Sequence, residues 1–138
     1  MGNGVSGDGM ADLTELSGRK IFLVEDESLV ALMIEAMIEE LGASVIGTES
    51  RIEESLAFIA RHHSEIDVGV LDLNLGGSRS YDIAQALTER GIPLVFSTGY
   101  SDDSILPEWR NRPLLGKPFQ LAELESALKG AVAMRAPR

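Results

Sequence analysis

From Arg19 onward, short unbroken apolar runs alternate with longer segments whose apolar residues recur every three or four positions. The apolar runs are Lys20-Ile21-Phe22-Leu23-Val24, Ser44-Val45-Ile46-Gly47, Asp67-Val68-Gly69-Val70-Leu71, Pro93-Leu94-Val95-Phe96-Ser97 and Pro113-Leu114-Leu115-Gly116. Between them, residues 28–41 place Leu29, Leu32, Met33, Ala36, Met37 and Leu41 at helical spacing, and Gly42 follows as a helix stop. Residues 51–62 repeat the period with Ile52, Leu56 and Ile59, residues 81–90 with Ile83, Ala84 and Leu87, and residues 121–134 with Leu121, Leu124, Leu128 and Val132. Residues 101–110 carry a weaker pattern that Pro107 interrupts, which predicts a short or irregular fourth helix. A strand that is apolar at every position is buried on both faces, so this alternation predicts an α/β protein. Its expected architecture is a doubly wound, three-layer α/β/α sandwich on a five-stranded parallel sheet. Ligands of such sheets bind beyond the carboxyl ends of the strands, which directs attention there.

Several classes of function are disfavoured before any site is considered. The 138 residues make one domain, and none is cysteine, so disulfides, thiolate metal sites and thiol nucleophiles are excluded. A formal net charge of −10 disfavours nucleic acid and anionic membrane surfaces as partners. No apolar run approaches the ~18 residues of a membrane span, and the Gly-rich, acidic start does not read as a secretory signal, so a cytoplasmic location is expected. Residues 1–18 are expected to form a flexible extension, residues 19–135 the folded domain, and no output domain is expected to follow. Gly2-Asn3-Gly4-Val5-Ser6-Gly7 spells a dinucleotide-binding fingerprint, but no strand precedes it and no helix follows it, so the match is rejected on mechanism.

The strand ends are polar in a coherent way. The first ends in Glu25-Asp26-Glu27, the third at Asp72, the fourth at Ser97-Thr98-Gly99, and the fifth at Lys117-Pro118. Crowded carboxylates repel, and a divalent cation relieves that repulsion. Hard oxygen ligands with room for water and phosphate oxygens suit Mg²⁺. A carboxylate beside Mg²⁺ can act as nucleophile toward a phosphoryl donor, and the transferred group then needs cationic and hydrogen-bonding partners, which Lys117 and Thr98 can supply.

This set of motifs resembles the receiver domain of two-component response regulators, the CheY-like superfamily. The matching motifs are the acidic pair Glu25 and Asp26, Asp72-Leu73-Asn74-Leu75, Thr98-Gly99 and Lys117-Pro118-Phe119, each after the expected strand, and the likeness covers residues 19–134. The resemblance implies a flavodoxin-like strand order 2-1-3-4-5 and a single-domain regulator acting by protein contact or phosphate transfer. Asp72 would be the phosphoacceptor, phosphorylated by a histidine kinase or phosphotransfer protein. Asp26 would bind Mg²⁺ directly, Glu25 through water, Asp72 by its carboxylate and Asn74 by its backbone carbonyl. Thr98 would bond the phosphoryl oxygen and act as a switch, Lys117 would pair with the phosphate, and the bond before Pro118 would be cis. Such a protein is a phosphoacceptor rather than an enzyme in the ordinary sense, and a monomer or weak dimer. Phe96-Ser97-Thr98-Gly99-Tyr100 is similar to a receiver subgroup named for Phe-Ala-Thr-Gly-X-Tyr. The usual aromatic switch on the fifth strand is replaced by Leu114, which makes Tyr100 the substitute candidate.

Other residues carry weaker claims. His62 and His63 read as a solvated helix end, Trp109 as a partly exposed anchor, Tyr81 as a packing residue, and Arg79 as a surface charge near Asp72. Two other functions stand as alternatives: a receiver-like module that binds without phosphorylation, and a Mg²⁺-dependent phosphohydrolase of the haloacid dehalogenase type. The hydrolase expects a second aspartate two residues past the nucleophile, where this chain has Asn74.

Overall fold

A computed structural model describes residues 15–99 and 105–135. Strand β1 (Lys20–Val24) leads into helix α1 (Ser28–Glu40), then β2 (Ser44–Glu49), α2 (Ile52–His62) and β3 (Val68–Asp72). A small hairpin, β4 (Asn74–Leu75) and β5 (Ser78–Arg79), precedes α3 (Tyr81–Glu89), followed by β6 (Leu94–Thr98), β7 (Leu114–Gly116) and α4 (Leu121–Ala133). The main sheet is parallel throughout, in the order β2-β1-β3-β6-β7. With the hairpin strands set aside this is the expected order 2-1-3-4-5. Between β6 and β7 the described residues hold one 3-10 turn, Pro107–Trp109, with the proline at its first position, where its missing N–H costs nothing.

The unbroken apolar strands follow from the two cores. Ile21 and Leu23 of β1 join Val68, Val70 and Val95 in a cluster with Ile34 and Ile38 of α1 and Leu124 and Leu128 of α4. Their neighbours Phe22 and Val24 join Leu71, Leu94 and Phe96 against Ile59 of α2 and Ile83 and Leu87 of α3. Alternate residues of one strand thus enter opposite layers, so polar positions inside the strand would be buried on either face. Gly47 of β2 marks a close approach: a methyl group there would lie 2.4 Å from the ring of Phe58, which stacks on Phe22 at 4.5 Å. Helix α1 ends in a Schellman motif, with Gly42 at φ +90°, its N–H on Glu39 and the Ala43 N–H on Ile38.

Three expectations need correction. The apolar residues read at helical spacing in α1 do not form one buried face: Leu29 is 76% exposed, Leu32 60% and Met33 62%, while Met37 and Leu41 pack against the core. The buried face is Ala31, Ile34 and Ile38. The helix is apolar on both sides, so periodicity could not orient it. Second, the packed domain starts before Arg19, because Leu16 is 1% exposed within the α1–α4 core and its carbonyl accepts the Arg19 N–H. Third, Trp109 is buried rather than a partly exposed anchor.

Candidate functional site

Each strand end contributes because its last residues leave the core while still fixed by the sheet. Glu25 continues β1, with its N–H bonded to the carbonyl of Glu49. Asp72 is the last residue of β3 and pairs with Ser97 of β6. Lys117 follows β7, its N–H held by the Thr98 carbonyl at 2.7 Å. The Lys117–Pro118 bond is cis, as expected.

These residues converge. The Lys117 ammonium donates to Asp72 Oδ2 at 3.1 Å and to Glu25 Oε1 and Oε2 at 3.1 and 3.3 Å. Glu25 is 2% exposed, Asp72 4% and Thr98 4%. Asp72 Oδ1 accepts the Asn74 N–H at 3.0 Å, and Glu25 Oε2 accepts the Glu27 N–H at 3.2 Å. Asp26 is exposed, and its Oδ2 accepts the N–H of Gly76 at 3.0 Å. Asp26, Asp72, Asn74, Thr98 and Lys117 all line one cleft of about 690 Å³. The four elements named from the sequence therefore do meet.

Burial pushes the Glu25 carboxyl up to about 7, reinforced by the nearby charge of Asp72 and opposed by its bond to Lys117. For Lys117, burial acts to lower the pKa, but bonds to Glu25 and Asp72 and their charges outweigh it and raise the value. The ammonium is thus firmly charged and shared between two acids on different strands.

Among the other named residues, Leu114 lies on β7 opposite Phe96 and is half-exposed. Tyr100 lies outside the described residues. His62 bonds Glu65 at 3.0 Å at the end of α2 and packs at a tilt against Phe58, and it does not line the cleft. Arg79 pairs with Asn74 in the hairpin. Sequence reasoning missed the Gly76 amide on Asp26, although the Gly76-Gly77 pair is itself a hairpin signal. It also missed the aromatic cluster of Tyr81, Phe96 and Trp109, in which the Tyr81 hydroxyl accepts the Leu106 N–H at 3.0 Å.

A parallel doubly wound sheet with an acid–lysine cluster at its carboxyl edge defines a class of protein. The family described as response regulator receiver domain matches residues 21–129, and the chain belongs to it. It is 31% identical over 133 residues to the phyllosphere-induced regulator PhyR of Methylorubrum extorquens, a match covering 88% of this chain and 49% of that protein. It is 24% identical over 119 residues to the transcriptional regulatory protein PdtaR of Mycobacterium tuberculosis, covering 83% and 57%. The solution structure of SdrG from Sphingomonas melonis Fr1 superimposes with a TM-score of 0.73 at 41% identity, covering 84% of this chain and 97% of that one. The chain spans about half the length of the curated relatives it matches.

Proposed function

We propose that this receiver domain accepts a phosphoryl group on Asp72 from the phosphohistidine of a histidine kinase or phosphotransfer protein, with Mg²⁺ as cofactor. The observation that carries this reading is the Lys117 ammonium held 3.1 Å from Asp72 Oδ2 in a cleft that also contains Asp26 and Thr98. An Asp72 oxygen attacks phosphorus, the P–N bond to the donor imidazole breaks, and the nitrogen keeps the electron pair. Lys117 and the Thr98 hydroxyl then supply a charge and a hydrogen bond to the phosphoryl oxygens.

The donor set suits Mg²⁺. Glu25, Asp26 and Glu27 offer carboxylate oxygens within 4.8 Å of one another, and Asp72 and Asn74 line the same cleft. Asp26 and Asp72 would hold the ion through carboxylates, Asn74 through its carbonyl, and Glu25 through water. A bound Mg²⁺ supplies neutralisation of charge on the transferring oxygens. The exposed Leu29, Leu32 and Met33 on α1, with Val30, Met37 and Phe119 lining the cleft beside them, give the donor protein an apolar surface next to the acceptor.

Incubation with acetyl phosphate and Mg²⁺, read by intact mass, tests the chemistry. Wild type is expected to gain one phosphoryl group and Asp72→Asn none. Equal labelling of both, or none of either, would overturn the assignment. Steady phosphate release from small esters would favour the hydrolase instead.

A further inference from the structure

The hairpin between β3 and α3 does more than connect them. Two of its backbone amides, one in the first arm and one in the turn, each bind a carboxylate of the site: Asn74 N–H on Asp72 Oδ1 and Gly76 N–H on Asp26 Oδ2, both at 3.0 Å. Gly76 and Gly77 sit at φ +56° and +93°, the left-handed conformation of a two-residue hairpin turn. Leu75 is buried in the α2–α3 core, and the Ser80 N–H on the Leu73 carbonyl closes the base of the loop. The tip is different. No atom lies within 4 Å of the Cβ position at either glycine, so side-chain packing does not hold the turn in place. The Leu75–Ser78 pairing beneath it and the Gly76 bond to Asp26 do. That bond also forms a wall: Asp26 and Gly76 line the cleft containing Asp72 and Lys117, and equally a second cleft of about 500 Å³ toward Ser50, Arg51 and Glu54 at the start of α2.

We infer that the Gly76–Gly77 hairpin is a latch that competes with the divalent cation for Asp26. The inference rests on the metal reading above. An N–H and a cation draw on the same negative charge of one carboxylate, so binding of the ion weakens the Gly76 bond and releases the hairpin tip. By the same linkage, whatever loosens the tip tightens metal binding. Metal occupancy is thereby conveyed to the α2 side of the domain, away from Lys117 and Thr98. Gly76 acts here through Asp26 and is a positioning residue.

The test uses Mg²⁺ alone and amide-resolved NMR on the intact chain. In metal-free buffer the Gly76 amide is expected to exchange slowly with water. Saturating Mg²⁺ is expected to speed its exchange about tenfold, the scale of one lost hydrogen bond to a charged group. The Gly18 amide, bonded to Gly42 far from the site, is expected not to change. Asp26→Asn keeps an oxygen acceptor and is expected to retain protection that no longer responds to Mg²⁺. Gly77→Ala strains the turn in its closed form. It is expected to tighten Mg²⁺ binding several-fold, read from the chemical shifts of Thr98 and Lys117. If those shifts report Mg²⁺ binding while Gly76 exchange and the Gly77→Ala affinity stay at wild-type values, the latch is wrong and the metal site stands. If no shift at the site responds to Mg²⁺, the metal reading falls and the latch falls with it.

Discussion

Replacing Glu25 with glutamine should change the way stability depends on pH, and the structure sets both the sign and the size. Glu25 is almost fully buried, and its carboxyl is raised from an ordinary 4.5 to about 7. The folded protein therefore keeps this proton up to about pH 7, whereas the unfolded chain gives it up near 4.5. Below 4.5 the group favours neither state. As pH rises from 4.5 to 7 the unfolded state alone loses the proton, so stability falls by about 1.4 kcal/mol for each pH unit. Across that window the loss amounts to about 3 kcal/mol, an upper figure because the bond to the Lys117 ammonium opposes the effect of burial on Glu25. Glutamine keeps an oxygen for the Lys117 ammonium and carries no charge to desolvate. Urea unfolding of both proteins in metal-free buffer at pH 5, 6, 7 and 8 separates this effect from the titrations they share. The variant's advantage should be small at pH 5 and grow to between about 1 and 3 kcal/mol at pH 8. A stability difference that stays constant with pH, or one that turns against the variant as pH rises, would refute the account of Glu25.

Two further outcomes follow from side chains away from the acids. Trp109→Ala removes the ring that packs on Tyr81 and Phe96, and should cost about 3 kcal/mol in denaturant unfolding; a loss below about 1 kcal/mol would mean that this segment does not belong to the cooperative core. Leu32→Asp, on the exposed face of α1, should leave stability within about 0.5 kcal/mol and acetyl phosphate labelling unchanged, while slowing transfer from a phosphorylated donor protein at least tenfold. Unchanged transfer would remove α1 from the docking surface.

The parts of this protein legible in its sequence are those that the backbone alone determines. Phe22 and Leu23 must enter opposite layers once β1 is a strand, so an unbroken apolar run already specifies a sheet covered twice. Parallel order then carries Asp26, Asp72, Thr98 and Lys117 to one edge whatever their side chains do, and the cluster could be named before any distance was known. What sequence could not supply was rotational and contextual. Helix α1 is apolar on two faces, and only packing against the sheet and α4 selects Ile34 and Ile38 over Leu32 and Met33. Leu16 lay in a stretch dominated by glycine and polar residues, where composition hid one well-packed side chain. The Gly76 amide on Asp26 joins residues 50 positions apart through backbone, which leaves no side-chain signature to read.

The same distinction bears on how a signal could leave Asp72. In the resembling family the aromatic partner of the threonine sits on the last strand, and here that position is the half-exposed Leu114. The aromatic bulk is not missing but displaced. Phe96, two residues before Thr98 on β6, meets Trp109 edge-on at 6.0 Å, Trp109 stacks on Tyr81 at 6.3 Å, and the Arg112 guanidinium lies over the Trp109 ring at 4.9 Å. Tyr81 begins the helix that follows the hairpin, and its hydroxyl holds the Leu106 amide. One aromatic cluster therefore joins the strand carrying Thr98, the helix after Asp72 and the turn before β7. Contact alone does not establish coupling. It does specify one place to look: a change at Thr98 that travels along β6 into this cluster alters the environment of Trp109, and the chain contains a single tryptophan to report it.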